Sequence, residues 1–569
     1  MTTTDTADSI ATPGPGAWIR SESGFPGSDH ARLFYRCWQP RDTRRSAAAP
    51  PLRVLVFLHS DHAHSGHLLP VVEPLLGLQD WAFAWDARGH GHSPGARDGA
   101  ADVAGLVQDF HCFTRHLRQT HNLSTEDMLI VAHGVGAVIA ATWIHDHAPR
   151  LRGVVMAAAA FQSKGFARFT APARQRAGTA RRIVANASAI EAPVLMLTAD
   201  KDQVVRQAPQ AQFFDRLGSR QKRFLVLQNG THAVFHDQGR PLEDVLQTCR
   251  QFIDRCYGHP IPPADHHLDA DQNSRSATQF RDLQRNTPGS VWARAVHTLQ
   301  RHLLHRFGPL SDGLRIGLAQ GFDSGASLEY VYRHEASGRL GIGKLIDRIY
   351  LDTLVWRGVR LRQQHLQRVL SDLIAVHPAN LPLRILDVAA GGGRHVLETA
   401  KRFQDRPMQI TLRDAVPANL DAARQLAASL ALQHTIDYQC RDALALSPDS
   451  DSAGEPLCDI VVVSGLYELC SDNAPVLASL RAIQGQLRPG GHLVYTGQPW
   501  QPQWQAIARI LIDHRGEPWQ MRLRPQAELD ALVSGIHCRK TQSLIGPGGL
   551  FTVSVARHEP PPAKPVAGS

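Results

Sequence analysis

The chain has 569 residues, a formal net charge of +9, 43% hydrophobic residues and 20% charged residues. Because a domain usually has about 100 to 200 residues, this length predicts more than one folded unit. The apolar content excludes a chain that is disordered throughout, and no apolar run is long enough to cross a bilayer as a helix. Basic residues are spread along the whole chain, a pattern that does not favour nucleic-acid binding.

The N-terminal segment and the cysteines favour a cytoplasmic location. The segment MTTTDTADSI has neither the basic region nor the apolar region of a secretory signal. The eight cysteines form no Cys-x-x-Cys pair and no metal-ligand spacing, which is typical of isolated reduced thiols. We therefore expect a cytoplasmic protein without a metal site.

Short apolar runs that end in polar turns predict two groups of strands, each interleaved with helices. Such alternation is typical of α/β folds with parallel sheets. The first group is 54–58, 81–85, 128–132, 154–158, 194–198 and 224–227, and the second is 385–388, 409–412, 459–463 and 492–496. The predicted organisation is a flexible N-terminus at 1–29, an α/β domain at 30–258, a polar linker at 259–290, a second α/β domain at 291–558 and a disordered tail at 559–569.

Several segments of the first domain together resemble the monoglyceride-lipase-like branch of the α/β-hydrolases. They are MLIVAHGVGA (128–137), WAFAWDARGHGHSPG (81–95), LMLTADKDQVV around Asp202 and LQNGTHAVFHD around His232. The resemblance implies an α/β-hydrolase fold in which Asp202 and His232 are the acid and base of a catalytic triad. The nucleophile belongs in the G-x-S-x-G turn, but position 134 is Gly. Without a hydroxyl there, we expect a degenerate hydrolase domain, with residual hydrolysis as the alternative.

Two further features of this domain depart from that family. The turn after the strand 54–58 reads His-Ser-Asp-His in place of His-x-Gly, so that Asp61 would oppose an oxyanion if it faced the site. Residues 150–182 hold eight basic side chains and no acidic one, where a substrate lid would otherwise lie. We expect a solvated mobile loop there, with an anion-binding or membrane-surface patch as the alternative.

The second domain begins its sheet with the motif LRILDVAAGGGRH (383–395), an apolar strand followed by an acid and a glycine-rich turn. Such a turn allows close approach of a ligand to the backbone, and a following helix favours negative charge. Acids end the next two segments, at Asp414 and Asp442. Together with SGLYE (464–468) and YTGQPW (495–500), these parts resemble class I S-adenosylmethionine-dependent methyltransferases, and in particular a methyltransferase domain fused behind an α/β-hydrolase in bacterial proteins. Binding of NAD by the same turn is the alternative.

The resemblance implies a role for each matching residue. Asp387 would support the glycine turn and the methionine amino group, Ala389, Gly391 and Gly393 would leave room for the cofactor, Asp414 would bind ribose, and Asp442 with Ala443 would flank adenine. Tyr467 and Glu468 lie where the methyl acceptor should arrive, and Glu468 could act as a base. Capping of the next helix is the alternative for these two residues, and Gln498 and Trp500 are further candidates for shaping the pocket.

The leading hypothesis is a methyltransferase that uses S-adenosylmethionine, fused to a degenerate α/β-hydrolase domain. The alternatives are a bifunctional enzyme that also hydrolyses an ester or thioester, and a lipid-binding scaffold. The expected partner is a small-molecule acceptor, with a lipid or acyl compound as one candidate class. We expect the amphipathic helix 291–307 to contact its own domain, with membrane-surface association as the alternative, and Tyr330, Tyr332 and Trp356 to belong to a helical core.

Overall fold

The chain divides into two compact units, Met1–Pro263 and Ala264–Ser569, and each has its own sheet. A computed structural model provides the coordinates. It describes residues 18–41, 53–97, 102–164, 171–235, 240–261, 274–285, 291–339, 341–444, 456–546 and 548–559. Within these ranges, none of the helices has the length and apolarity that a membrane crossing requires.

The first unit is built on an eight-stranded sheet in the order β1-β2-β4-β3-β5-β6-β7-β8. Strands β3 to β8 are parallel to one another, and β1 and β2 run antiparallel at one edge. Strands β3, β5, β6 and β7 are buried along their whole length, which explains why they read as continuous apolar runs. The strands are β1 Trp18–Pro26, β2 Arg32–Pro40, β3 Val54–Leu58, β4 Trp81–Trp85, β5 Met128–His133, β6 Gly153–Ala157, β7 Val194–Ala199 and β8 Lys222–Leu227.

Within the described ranges of the first unit, six α-helices connect or flank these strands. The helix that matters most for the site is α3, which follows β5 directly and is buried on all sides. The helices are α1 Leu69–Leu75, α2 Val103–His121, α3 Val135–His147, α4 Ala171–Ala185, α5 Gln207–Arg216 and α6 Arg240–Gly258.

The N-terminal hairpin corrects the prediction of a flexible segment at 1–29. Residues 1–17 lie outside the described residues, but β1 pairs with β2 from Trp18↔Pro40 to Pro26↔Arg32. The sequence of β1, WIRSESGFP, is mostly polar and mostly exposed because β1 is an edge strand. An edge strand of this kind gives almost no apolar pattern, so the sequence analysis missed it.

The second unit is built on a seven-stranded mixed sheet in the order β11-β10-β9-β12-β13-β15-β14. Strand β15 runs antiparallel to both of its neighbours, β13 and β14, and the pairings from β11 to β13 are parallel. Successive residues of β9 belong to two different cores, Ile385 to one and Leu386 to the other, so both faces of the sheet are covered. The strands are β9 Leu383–Val388, β10 Met408–Asp414, β11 Thr435–Cys440, β12 Cys458–Val463, β13 Leu487–Gly497, β14 Cys538–Ile545 and β15 Thr552–His558.

The helices of the second unit include an N-terminal group that precedes the sheet. A third core lies among these helices, and it contains Trp356 and, partly buried, Tyr330 and Tyr332, as the sequence predicted. The helices are α7 Arg275–Gln284, α8 Val291–Phe307, α9 Asp312–Gln320, α10 Gly325–Arg333, α11 Ile342–Leu351, α12 Leu354–Val376, α13 Arg394–Lys401, α14 Pro417–Ser429, α15 Asn473–Gln486, α16 Trp504–Ile510 and α17 Gln526–Ser534.

Part of the predicted linker 259–290 is folded. Helix α7 begins after an N-cap at Ser274, whose side chain accepts a hydrogen bond from the Ala277 N–H, and it buries Phe280. The Ser276 hydroxyl donates to Glu528 in α17 at 2.9 Å. The sequence predicts a linker here because the few apolar residues of this segment are separated by charged ones. Residues 262–273 and 286–290 lie outside the described residues.

Helix α8 contacts its own domain, as predicted, but not through the predicted apolar face. Its apolar residues Val296, Leu299, Leu303 and Phe307 are between 44% and 58% exposed, so they do not form the expected contact face on their own domain. The helix contacts α16, where the Arg301 guanidinium donates to the Arg509 carbonyl. An amphipathic pattern shows which residues share a face, but not whether another element covers that face.

Candidate active sites

The turn between β5 and α3 has the geometry of a nucleophile elbow with glycine in the key position. Gly134 has φ 57° and ψ −115°, a conformation that L side chains rarely adopt. Its N–H donates to the Ala157 carbonyl of β6 at 2.9 Å, which fixes the turn against the sheet. The backbone conformation of the elbow is therefore retained although its hydroxyl is missing, and glycine adopts this conformation without strain.

The structure brings the two predicted triad members together. His232 Nδ1 lies 2.9 Å from Asp202 Oδ2. Asp202 is buried, and its other oxygen accepts from the N–H groups of Val204 and Val205 at 2.7 and 2.9 Å. Burial by itself would raise the pKa of Asp202, but the hydrogen bonds from His232 and the two backbone N–H groups lower it below its usual value. The carboxylate therefore stays charged and holds the His232 ring in place.

A serine that the sequence motifs do not point to, Ser60, lies beside the elbow. A Cβ added at Gly134 would lie 2.0 Å from Ser60 Oγ. Ser60 follows β3, the strand next to β5, and it is 8% exposed. Only the pairing of these two strands places the residues side by side, since they are far apart in the chain.

Asp61 and the basic stretch 150–182 are not arranged as the sequence predicted. The Arg176 guanidinium donates to Asp61 Oδ2 at 2.5 Å, so the charge of Asp61 is neutralised. Arg182 is buried and donates from both terminal nitrogens to Asp146 of α3, at 2.6 and 2.8 Å. Both arginines belong to helix α4 instead of a solvated loop. Spacing along the chain could not show this, because both acids lie outside the stretch.

In the second unit, the turn after β9 adopts the conformation that the glycine motif predicted. Ala389, Gly391 and Gly393 all have positive φ, at 63°, 55° and 62°. A Cβ added at Gly391 or Gly392 would meet no atom within 4 Å, so the turn borders open space. Positive φ at Ala389 is unusual for an L residue and marks a strained position beside that space.

Asp387 is the least satisfied polar group of this site. It lies in the buried part of β9 with no exposed surface, and neither carboxylate oxygen has a hydrogen-bond partner within the described residues. His395 Nε2 lies 3.0 Å from Asp387 Oδ2 without making a hydrogen bond to it. A buried carboxylate without donors is costly, so this site is suited to a ligand that brings an N–H donor, such as an α-ammonium group.

Asp414 holds the glycine turn in addition to any ligand role. Its Oδ2 accepts from the Gly391 N–H at 2.8 Å, and its Oδ1 accepts from the Val416 N–H at 2.8 Å and from Asn419 Nδ2 at 3.0 Å. Each carboxylate oxygen can accept more than one hydrogen bond, so capacity for ribose hydroxyls remains. Because Asp414 belongs to β10, its hydrogen bond with Gly391 joins the glycine turn after β9 to the neighbouring strand.

Asp442 and Ala443 follow β11 at the same end of the sheet. Asp442 Oδ1 accepts from the Leu444 N–H at 2.9 Å, which closes a local turn. Ala443 is buried in the core on one face of the sheet. Both residues lie at the end of the sheet where they are predicted to flank an adenine ring, and this role stays a prediction.

The loop after β12 places Glu468 and Tyr467 in different environments. Tyr467 belongs to the sheet core, its hydroxyl lies 3.3 Å from Ser479 Oγ, and burial raises the pKa of its phenol. Glu468 is also buried, and its Oε1 accepts from Arg362 at 3.3 Å whereas its Oε2 has no partner in the described part of the chain. Burial raises the pKa of Glu468, with Arg362 opposing that shift. Of the two residues predicted near the methyl acceptor, Glu468 is therefore the one that has a side-chain oxygen available to act on it.

Arg362 and Arg394 are site residues that the sequence analysis missed. Arg362 lies in the long helix α12, where its guanidinium also packs over the Phe551 ring at 4.9 Å from the ring centroid. Arg394 follows the glycine turn and donates to Glu329 of α10, which ties the N-terminal helices to the cofactor loop. Gln498 is buried and Trp500 is half-buried after β13. A single arginine within an amphipathic helix gives no sequence signal of such pairing.

The two units thus combine an α/β-hydrolase fold with a methyltransferase-like domain built on a mixed sheet. Residues 249–558, more than half of the chain, match the family described as "Putative methyltransferase". Residues 49–177 and 170–239 match the family described as "Serine aminopeptidase, S33".

A relative covers nearly the whole chain. "Uncharacterized protein YnbC" of Escherichia coli K12 is 34% identical over 589 aligned positions, which cover 95% of this chain and 98% of the relative. The chain therefore belongs to the "Putative methyltransferase" family, in the form that carries a hydrolase-like unit at the N-terminus. This confirms the predicted family and the predicted fold class.

More distant similarity is limited to part of the chain. Human monoglyceride lipase is 28% identical over 134 residues, which cover 23% of this chain and 40% of the lipase. The solved monoacylglycerol lipase of Paleococcus ferrophilus is 17% identical, with a TM-score of 0.32, and the match covers 42% of this chain and 99% of that one.

Proposed function

We propose that the second unit is a class I methyltransferase that binds S-adenosylmethionine beside the turn 389–393 and transfers its methyl group to a small-molecule acceptor. The observation that carries this proposal is Asp387, a fully buried carboxylate without a hydrogen-bond donor next to a glycine turn that borders open space. Within the described residues the chain makes no hydrogen bond to it, although His395 Nε2 lies 3.0 Å away, whereas the α-ammonium group of the cofactor would supply both charge and donors.

The other residues of the site fit the same ligand. The open space beside the turn 389–393 supports a ligand there, and we assign Asp414 to the ribose hydroxyls and Ala443 to the apolar side of the adenine ring. When bound, S-adenosylmethionine supplies an electrophilic methyl group on a positively charged sulfur. The main task of the protein is then to hold an acceptor in line with that group.

Glu468 is the residue that we propose to act on the acceptor. Its raised pKa makes the carboxylate a stronger base than an exposed glutamate, and its second oxygen is available for a proton. Arg362 holds the first oxygen and fixes the orientation of the side chain. A lipid or acyl compound stays a predicted acceptor class, and the cytoplasm stays the predicted location.

The proposal is tested by titrating the full chain with S-adenosylmethionine and with its demethylated product in a calorimeter. We expect binding of both, and Asp387→Asn should weaken it by about 10- to 100-fold, because one charge-assisted hydrogen bond contributes about 1.5–3 kcal/mol. Asp405→Asn, an exposed residue after α13, is the matched control and should bind as the unmodified chain does. Absence of binding by the folded chain would refute the proposal.

A further inference from the structure

In the first unit, the side chain of Ser60 lies beside Gly134 at the elbow. An added Cβ at Gly134 would lie 2.0 Å from Ser60 Oγ and 2.9 Å from Ser60 Cβ, far inside van der Waals contact. The Ser60 side chain therefore occupies the volume in which the side chain of a conventional nucleophile begins. The hydroxyl that the elbow lacks at position 134 is present there, supplied by the neighbouring strand connection.

His59 fixes the backbone that carries this hydroxyl. Its Nε2 accepts a hydrogen bond from the Ala87 N–H at 2.9 Å, so its Nδ1 carries the proton and donates to the Ser60 carbonyl at 2.7 Å. Burial lowers the pKa of His59 to about 4, so the ring keeps this neutral form at neutral pH. Both ring nitrogens are engaged, and His59 is a positioning residue, not the base.

His232 is the base available at the elbow. Since its Nδ1 faces Asp202, its Nε2 is the nitrogen left to accept a proton. His133, the residue before Gly134, donates from Nε2 to the His232 carbonyl at 2.8 Å, and the two rings lie 5.2 Å apart. Within the described residues no hydrogen bond joins Ser60 to His232, but catalytic hydrogen bonds are commonly long in free enzymes and shorten when substrate binds.

We propose that Ser60 is the nucleophile of a hydrolytic site formed with His232 and Asp202, and that this site cleaves a carboxylic ester or thioester. Ser60 Oγ attacks the acyl carbon while His232 Nε2 takes the hydroxyl proton. The protonated His232 then returns that proton to the departing alcohol or thiol, and an acyl-serine forms. Water then attacks the acyl-serine while His232 Nε2 takes a proton from it. The protonated His232 returns this proton to Ser60 Oγ as the acyl–oxygen bond breaks, which releases the carboxylic acid and restores the Ser60 hydroxyl.

The surroundings of Ser60 suit the negative charge of this reaction. Helix α3 begins directly after Gly134, and the first-turn N–H groups of a helix have no partner within the helix. Gly136 in that turn approaches the segment 58–59 so closely that a Cβ would lie 2.6 Å from the His59 carbonyl oxygen. The carboxylate of Asp61, which would oppose an oxyanion, is paired with Arg176.

The test uses the full chain with p-nitrophenyl acetate as substrate and a fluorophosphonate, which reacts with activated serines, as label. We expect ester turnover and a labelled peptide that contains Ser60. Ser60→Ala and His232→Ala should each lower turnover by at least about 100-fold and abolish labelling. Ser124→Ala, an exposed serine of the same unit, should react as the unmodified chain does.

Further variants keep the proposal open to refutation if Ser60→Ala does not fold. Ser60→Cys preserves size and a nucleophile, and its turnover should become sensitive to iodoacetamide. Gly134→Ser alone should not gain activity, because its side chain collides with Ser60. The proposal is overturned if the folded, unmodified chain shows neither ester turnover nor labelling, or if the label lies on another serine. It is also overturned if Ser60→Ala retains turnover, if the turnover of Ser60→Cys resists iodoacetamide, or if Gly134→Ser alone creates esterase activity.

Discussion

At the scale of single residues, Gly134 and Ser60 are sterically complementary. Gly134→Ser should lower the free energy of unfolding of the first unit by about 1–3 kcal/mol, since the new Cβ overlaps Ser60 Oγ and the backbone conformation strains any L residue. Ser60→Gly combined with Gly134→Ser should recover more than about 1 kcal/mol of that loss. Urea unfolding of the four members of this double-mutant cycle measures the coupling. Additive effects would show that the two side chains do not share the volume.

Substitution of Glu468 should lower methyl transfer but leave cofactor affinity unchanged, which distinguishes Glu468 from the residues proposed to bind the cofactor. Glu468→Gln keeps the shape of the side chain but removes the base, so we expect transfer of labelled methyl groups from S-adenosylmethionine into cell extract to fall by about 100-fold. Because Glu468 can act as a base only when it is deprotonated, methyl transfer by the unmodified chain should decline as the pH falls through the raised pKa of Glu468.

Two measurements accompany the Glu468→Gln experiment. Cofactor affinity, measured by calorimetry, should stay within about twofold, since Asp387 and not Glu468 is proposed to hold the ammonium group. The acidic decline of the pH profile should be lost in the variant. Undiminished methyl transfer would instead support a structural role, the capping alternative that the sequence left open.

At the scale of elements, the Arg182–Asp146 pair joins α4 to α3. Both side chains are buried, and although burial alone would raise the pKa of Asp146, Arg182 holds it well below its usual range. Arg182→Met leaves that carboxylate buried with the His145 ring, whose Nδ1 lies 2.7 Å from Asp146 Oδ1, but without the guanidinium. It should therefore destabilise the first unit by about 3 kcal/mol in urea unfolding, the lower end of the range for breaking a buried ion pair. Arg181→Met, at the neighbouring exposed position, is the matched control and should have little effect.

The pH dependence of this pair has a defined sign. Because the pKa of Asp146 is lower in the folded chain than in the unfolded one, the stabilisation is complete above the unfolded value of about 3.9 and is lost as the pH falls through the folded value. The difference between the unmodified chain and Arg182→Met should therefore narrow below about pH 4. A constant difference down to pH 3 would contradict this account.

At the scale of the whole molecule, each unit has its own sheet and core, which predicts two unfolding transitions. Residues 1–263 and 264–569, produced separately, should each unfold cooperatively. A 100-fold excess of S-adenosylmethionine over its dissociation constant should raise only the melting temperature of the second unit, by roughly 5 °C. A shift of both transitions in scanning calorimetry, or a fragment without a transition, would contradict this prediction.

The sequence by itself determined both fold classes, the family and the residues of the two motif loops. Buried parallel strands and glycine turns leave strong local patterns, because each of their residues is constrained by its immediate neighbours. It did not predict the polar edge strand Trp18–Pro26, the folded helix Arg275–Gln284 or the exposed face of Val291–Phe307, since these depend on what lies beside them.

Only the tertiary structure decided which charged side chains pair and which hydroxyl lies at the elbow. The pairs Arg176–Asp61, Arg182–Asp146 and Arg362–Glu468 join residues that are distant in the chain, so no spacing rule reveals them. The same holds for Ser60: the absence of serine at position 134 is visible in the sequence, but the hydroxyl beside it is visible only after β3 and β5 pair. Local sequence specifies backbone conformation, whereas the contents of a site are specified by the packing of separate elements.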